Sequence, residues 1–177
     1  MTANEFGSNL EQLTGRLKTE DSHYAKIIKG VQIMYLIFIP LFAFKTISEY
    51  GDSKSMNDIY SGIFLILSFL TFIFAFRKYY KEYKHVDYSL PTLEMLKKAA
   101  HRYQPFQKKT IWVFTGLVLM DIDLAFDWLD LNTSLLHTQI IFVGGIILGF
   151  IIGIIVWYFK YKPLRDDALK LIREIEE

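Results

Sequence analysis

The sequence predicts an all-α integral membrane protein. It reads as a four-helix bundle with four transmembrane helices, about 28–48, 57–78, 109–130 and 138–160, and short cytosolic amphipathic helices. Three observations predict it. Apolar residues make up 52% of the chain and gather into four long blocks. Lys and Arg alternate between the connections, rich in one and poor in the next. Aromatic residues recur where the blocks end.

The first block, Gly30 to Phe44, is free of charge and flanked by Lys29 and Lys45. It reaches across if Lys45 lies near the far interface. Pro40 removes one backbone hydrogen bond and predicts a kink there, which membrane helices tolerate. The second block, Ile59 to Phe76, and the fourth, Thr138 to Phe159, hold no charge over 18 and 22 residues. Crossing about 30 Å of hydrocarbon takes roughly 20 helical residues, so both suffice. A soluble bundle would need polar stripes at helical spacing. The run I-F-V-G-G-I-I-L-G-F-I-I-G-I-I-V-W is apolar all round.

The third block, Thr110 to Leu131, has the length of a span but carries Asp121, Asp123, Asp127 and Asp130. Measured from Lys109, a rise of about 1.5 Å per residue puts Asp121 roughly 18 Å deep and Asp123 roughly 21 Å. Asp127 and Asp130 come out near 27 and 31 Å, close to the far interface. An Asp at a helix centre costs up to about 3 kcal/mol, against roughly 0.5 gained per Leu, Ile or Phe. Such a helix inserts poorly by itself. At 100° per residue, Asp123, Asp127 and Asp130 share one face, which Gly116 and Met120 extend, while Asp121 points the other way. That face should look into the bundle or a wet cleft. Lys45, roughly 24 Å deep on the first helix, is a candidate partner for Asp123 or Asp127 in a buried ion pair. The alternatives are a short hydrated vestibule with Lys45 snorkelling outward, or an ion or proton pathway through Asp121, Asp123 and Asp127.

Block four places Gly145, Gly149 and Gly153 at four-residue spacing, a stripe that lets a neighbouring backbone approach closely. The neighbour is either another helix of the chain or a second copy, giving a homo-oligomer. Ser61, Ser68 and Ala75 form a small-residue stripe on the second helix, expected to dock the fourth.

Eighteen of the twenty Lys and Arg residues lie in the N-terminal segment, the long connection from Arg77 to Lys109, or the tail. Four crossings put all three on one side, and retention of positive charge makes both termini cytoplasmic. The expected organisation is an N-terminal amphipathic segment (1–27), a membrane bundle (28–160) with a cytosolic connection (79–108), and a C-terminal helix (161–177). In the first segment, Ser8 and Glu11 form a capping box before the stripe Phe6, Leu10, Leu13, Leu17. In the second, Pro91 opens a helix that ends before Pro105, with Leu93, Leu96, Ala100 and Tyr103 opposite Glu94, Lys97, Lys98 and Arg102. The third starts near Pro163, with Leu164, Ala168, Leu171, Ile172 and Ile175 on one side. Its acidic last turn should fray. These helices are expected to lie on anionic headgroups or to present a contact surface to a protein partner. The first apolar block begins after some 27 polar residues, so no cleavable signal peptide is expected. Richness in Ile, Phe, Lys and Tyr resembles proteins of low-GC bacteria and suggests a bacterial inner membrane.

Net charge is +1, which gives no footprint for nucleic acid. There is no cysteine, hence no disulfide, thiolate nucleophile or cysteine–zinc site. His23, His85, His101 and His137 are scattered, and no phosphate loop or G-x-S-x-G elbow occurs. No catalytic residue, cofactor or metal is expected. The pair Asp123-x-x-x-Asp127 could hold Mg²⁺ in a membrane transferase, but the further Asp and Arg residues such enzymes use are missing. The expected protein is non-enzymatic, sits in the lipid bilayer and organises or regulates a cytosolic or membrane protein partner through its basic cytosolic helices; the alternative is a small oligomeric ion or proton pathway using the acidic residues of the third helix.

Overall fold

The computed structural model describes residues 3–51, 56–130 and 135–177, with the side chains of 3, 49–51 and 127–130 outside that description. Every regular element among the described residues is helical. Helix α1 runs Ala3–Gly51, α2 Met56–Lys84 and α3 Thr92–Arg102. A 3₁₀ turn, Lys108–Thr110, leads into α4, Ile111–Asp130. Helix α5, Leu135–Val156, passes through a π-helical turn, Trp157–Tyr161, into α6, Lys162–Glu176.

Among the described residues, three stretches are long and apolar enough to cross a membrane: Asn4–Ser48, Met56–Lys84 and Leu135–Glu176. They are compatible with a membrane location. Helix α4 has the expected length but is not among them, as its carboxylates dilute an otherwise apolar surface.

Two helix ends depart from expectation. Helix α1 starts at Ala3, so Ser8 lies inside it rather than capping it. Residues 3–27 are the first part of one 49-residue helix. Between Leu17 and Lys29 there is neither Pro nor Gly to stop propagation, and α1 continues through Pro40 as well. The tail does not fray either: α6 stays helical to Glu176, whose carboxylate accepts Lys97 Nζ at 2.7 Å. A partner cation offsets the unfavourable charge at that helix end.

The chain forms two compact units. The first contains residues 1–27, 80–107 and 150–177. Here the amphipathic segments turn their apolar faces on one another, not on headgroups. Helix α3 packs against α6. Leu13, Leu17, Leu96, Ala99, Leu164, Ala168 and Leu171 are all buried. Full burial of a Leu contributes about 1.5–3 kcal/mol, which explains why these faces prefer each other. Ion pairs join the segments as well: Arg16 to Asp167 at 2.9 Å, and the half-buried Lys160 to Glu20 at 2.9 Å. The unit holds thirteen Lys and Arg against twelve Asp and Glu, so it is nearly neutral rather than basic.

The second unit contains residues 28–79 and 108–149. An aromatic seam joins α1 to α2. Tyr35 stacks on Phe72 at 5.3 Å and on Phe76 at 6.0 Å, and Phe38 and Phe42 meet Phe69. Phe126 of α4 stacks on Phe64 of α2 at 5.7 Å. Helix α5 has no buried residue.

Candidate functional site

The acidic face of α4 meets α2 through small residues. Asp123 is 7% exposed, and the Ser61 hydroxyl donates to its Oδ1 at 2.6 Å. Two turns along, the fully buried Ser68 donates to the Gly116 carbonyl at 2.9 Å. Gly116 is required there: a Cβ at that position would stand 2.6 Å from Cε1 of Phe72. Gly62 plays the same part toward α1, where a Cβ would collide with the Thr46 side chain. So the Ser61–Ser68–Ala75 stripe does dock a helix, but that helix is α4. The expectation that it receives the fourth span is overturned. The physical reason is chemical matching: the Asp123 carboxylate needs a donor, which Ser61 supplies, whereas α5 carries no carboxylate to receive it.

Asp121 is half-buried, with Oδ1 enclosed and no hydrogen-bond partner for it among the described residues. Lys45 is exposed on α1. The side chain of Asp127 lies outside the described residues, and the expected Lys45–Asp127 pair falls there with it. Gly145, Gly149 and Gly153 have nothing within 4 Å of where a Cβ would stand. No helix of the described chain covers that stripe.

A second polar cluster, in the first unit, is not among the sequence expectations. Asp21 and Arg102 are 2% and 6% exposed and pair at 2.9 Å. The Tyr103 hydroxyl donates to Asp21 Oδ1 at 2.6 Å, and Tyr88 donates to Oδ2. Arg102 was assigned to the solvent face of its helix; instead its guanidinium lies 5.8 Å from the Tyr103 ring and 6.0 Å from the Tyr83 ring. The backbone is tied in too. The Arg102 carbonyl accepts from Tyr83 at 3.1 Å and from Gln107 Nε2 at 2.6 Å, and Trp157 Nε1 donates to the Tyr103 carbonyl at 2.8 Å. Burial pushes the Asp21 carboxyl up, while Arg102 and the two tyrosine hydroxyls pull it back. Burial likewise raises the Tyr103 and Tyr88 hydroxyls, reinforced by the Asp21 charge, so both keep their protons and remain donors.

One sequence signal pointed to this cluster. Asp21 falls on the stripe of Leu13, Leu17 and Ala25, all buried on α1. A carboxylate on a core stripe demands a partner. Chemically, the arrangement is a structural tie: the Asp21 carboxylate, the two tyrosine hydroxyls and one Arg102 Nη bind one another across the fold, while Arg102 Nε is enclosed with no hydrogen-bond partner among the described residues. Among the described residues no three His, Asp or Glu side chains converge on one point. No family model, curated protein or solved structure matches the chain.

Proposed function

We propose that this chain is a non-enzymatic membrane protein with four crossings and both termini in the cytoplasm. Its folded helical unit serves to organise or regulate a protein partner. The observation that carries this reading is the packing of α6 on α3 and α1. Lys97 pairs with Glu176, Arg16 with Asp167, and Trp157 with the Tyr103 carbonyl. Segments from the start, middle and end of the chain in one core must lie on one side of a bilayer. The chain between 107 and 162 then crosses an even number of times. The stretch containing α5 is the most apolar of the three candidates, and on this reading α4 crosses with it. Burial of Asp123 against Ser61 supports that crossing, since it removes a carboxylate from lipid.

The partner role rests on the same unit. Its cations are largely matched by carboxylates, so headgroup attraction alone does not account for a folded core there. The chain lacks cysteine, which makes topology directly measurable. Single cysteines at Lys54 and Thr133 should react with a membrane-impermeant maleimide from outside intact cells. Cysteines at Gln12, Ser89 and Lys170 should react only after permeabilisation. Opposite compartments for residues 12 and 170 would sink the scheme. The partner role predicts co-purification of one defined protein that is lost on trimming residues 1–20 or 163–177 and unaffected by changes in α5.

A second reading has its own observation. Asp123 is buried and Asp121 has an enclosed oxygen, both on the helix that would line a pathway. An oligomeric ion or proton conduit predicts flux in proteoliposomes that Asp123→Asn abolishes. No flux above protein-free vesicles removes it.

A further inference from the structure

The end of the second unit where α2 leaves its apolar stretch gathers four cations, Arg77, Lys78, Lys108 and Lys109, with no carboxylate between 77 and 79 or 108 and 112. A hydrogen bond of 2.8 Å between the Tyr79 hydroxyl and Thr110 Oγ1 holds the two segments together. Lys109 Nζ sits 4.2 Å over the Tyr79 ring. Lys78 Nζ stands 4.5 Å from the Phe74 ring and 4.8 Å from the Trp112 ring, which meet edge-on at 5.0 Å. Two aromatic faces thus fix an ammonium without neutralising it. Among the described residues no carboxylate pairs with Arg77, Lys78 or Lys108. Phe74 and Trp112 are themselves 46% and 38% exposed. The uncompensated charge is therefore set into an open apolar surface on two helices.

A ligand that matches this surface carries an anion next to hydrocarbon. We propose that Lys78 and Lys108 bind the phosphate of an anionic phospholipid whose acyl chain lies along Phe74 and Trp112. A protein carboxylate would satisfy the cations but leave the aromatic rim uncovered. A phospholipid covers both, and basic sites between membrane helices on the cytoplasmic side suit such headgroups. The inference rests on the reading of α2 and α4 as crossing helices.

The test is a titration of the full-length protein in phosphatidylcholine micelles with phosphatidylglycerol, read as the rise in Tm. Phosphatidylglycerol should raise Tm, and more phosphatidylcholine or inorganic phosphate should not. The exposed pair Lys78→Gln with Lys108→Gln should match the wild type in phosphatidylcholine. It should need about 25-fold more phosphatidylglycerol for the same rise, at about fivefold per lysine near a charged surface. If the double variant already melts early, Lys78→Gln alone decides, with about fivefold expected. An unchanged response in the variants, or an equal rise with phosphatidylcholine or phosphate, overturns the site. Carbonate washing of membranes separates the two levels. A chain that washes off defeats the membrane reading and this site together, whereas one that stays but shows no lipid preference defeats this site alone.

Discussion

At the residue scale, the Asp21–Arg102 pair shows how a charge can sit in a core without being a site of chemistry. Taking two ions out of water costs several kcal/mol each, and the pair is tolerable only because hydrogen bonds fill the remaining positions. Tyr103 and Tyr88 do this for Asp21. Losing one partner leaves the other charge buried. Arg102→Leu should therefore destabilise the first unit by about 3–5 kcal/mol. Asp21→Asn combined with Arg102→Leu should recover part of that loss, since the amide carbonyl still accepts from one tyrosine and the other hydroxyl can turn to accept from the amide N–H. Urea unfolding followed by fluorescence of Trp157, bonded to the Tyr103 carbonyl, measures both. Equal stability for Arg102→Leu and wild type would mean the pair is solvated. The sequence made half of this legible. Asp21 is marked by its place on the Leu13–Leu17–Ala25 stripe, but Arg102 is not. It looks like Lys97 and Lys98 beside it, and only the fold brings position 102 to position 21.

At the scale of elements, glycine spacing and glycine use came apart. Gly145, Gly149 and Gly153 have the register of a close-packing stripe, yet nothing in the described chain approaches them. Gly62 stands in no obvious pattern and Gly116 only extends the Asp face of its helix, yet both lie against a neighbour. Spacing along one helix records which residues share a face; it holds no information about what arrives there. Hydrogen-bonding need does. Asp123 called for a donor at its depth, and Ser61 and Ser68 sat on the next helix in the chain with hydroxyls to give. The contrast is measurable. Gly116→Leu must displace the Phe72 ring, and overpacking of this kind costs about 1–3 kcal/mol or more. Gly149→Leu should leave the monomer's Tm unchanged or slightly raised, because leucine favours helix over glycine by roughly 0.8 kcal/mol. Thermal unfolding of both variants in detergent, at a dilution where the protein is monomeric, separates them. A large loss for Gly149→Leu there would mean that α5 packs within the chain after all.

At the scale of the whole molecule, the span pattern and the folded unit constrain each other. Apolar length by itself selects three stretches, and three crossings would leave α6 and α3 in different compartments. Their packing through Leu164, Leu171, Leu96 and Ala99 is what favours a fourth in the topology proposed above. On that proposal the acidic helix is the crossing on which closure of the first unit depends. Its insertion is marginal, so one further charge on its exposed side should tip it. Val118 is 59% exposed and takes no part in the Ser61 and Ser68 hydrogen bonds. Val118→Arg adds up to about 3 kcal/mol to the cost of inserting α4. A reporter active only outside the membrane, fused after Glu177, should then become active in a fraction of chains. In that same fraction the tail can no longer cover α3, and limited proteolysis should cut between Leu90 and Gln107. Val118→Leu should do neither. A reporter that switches sides while α3 stays protected would show that α6 is dispensable to the unit, and the parity argument for the fourth crossing would go with it.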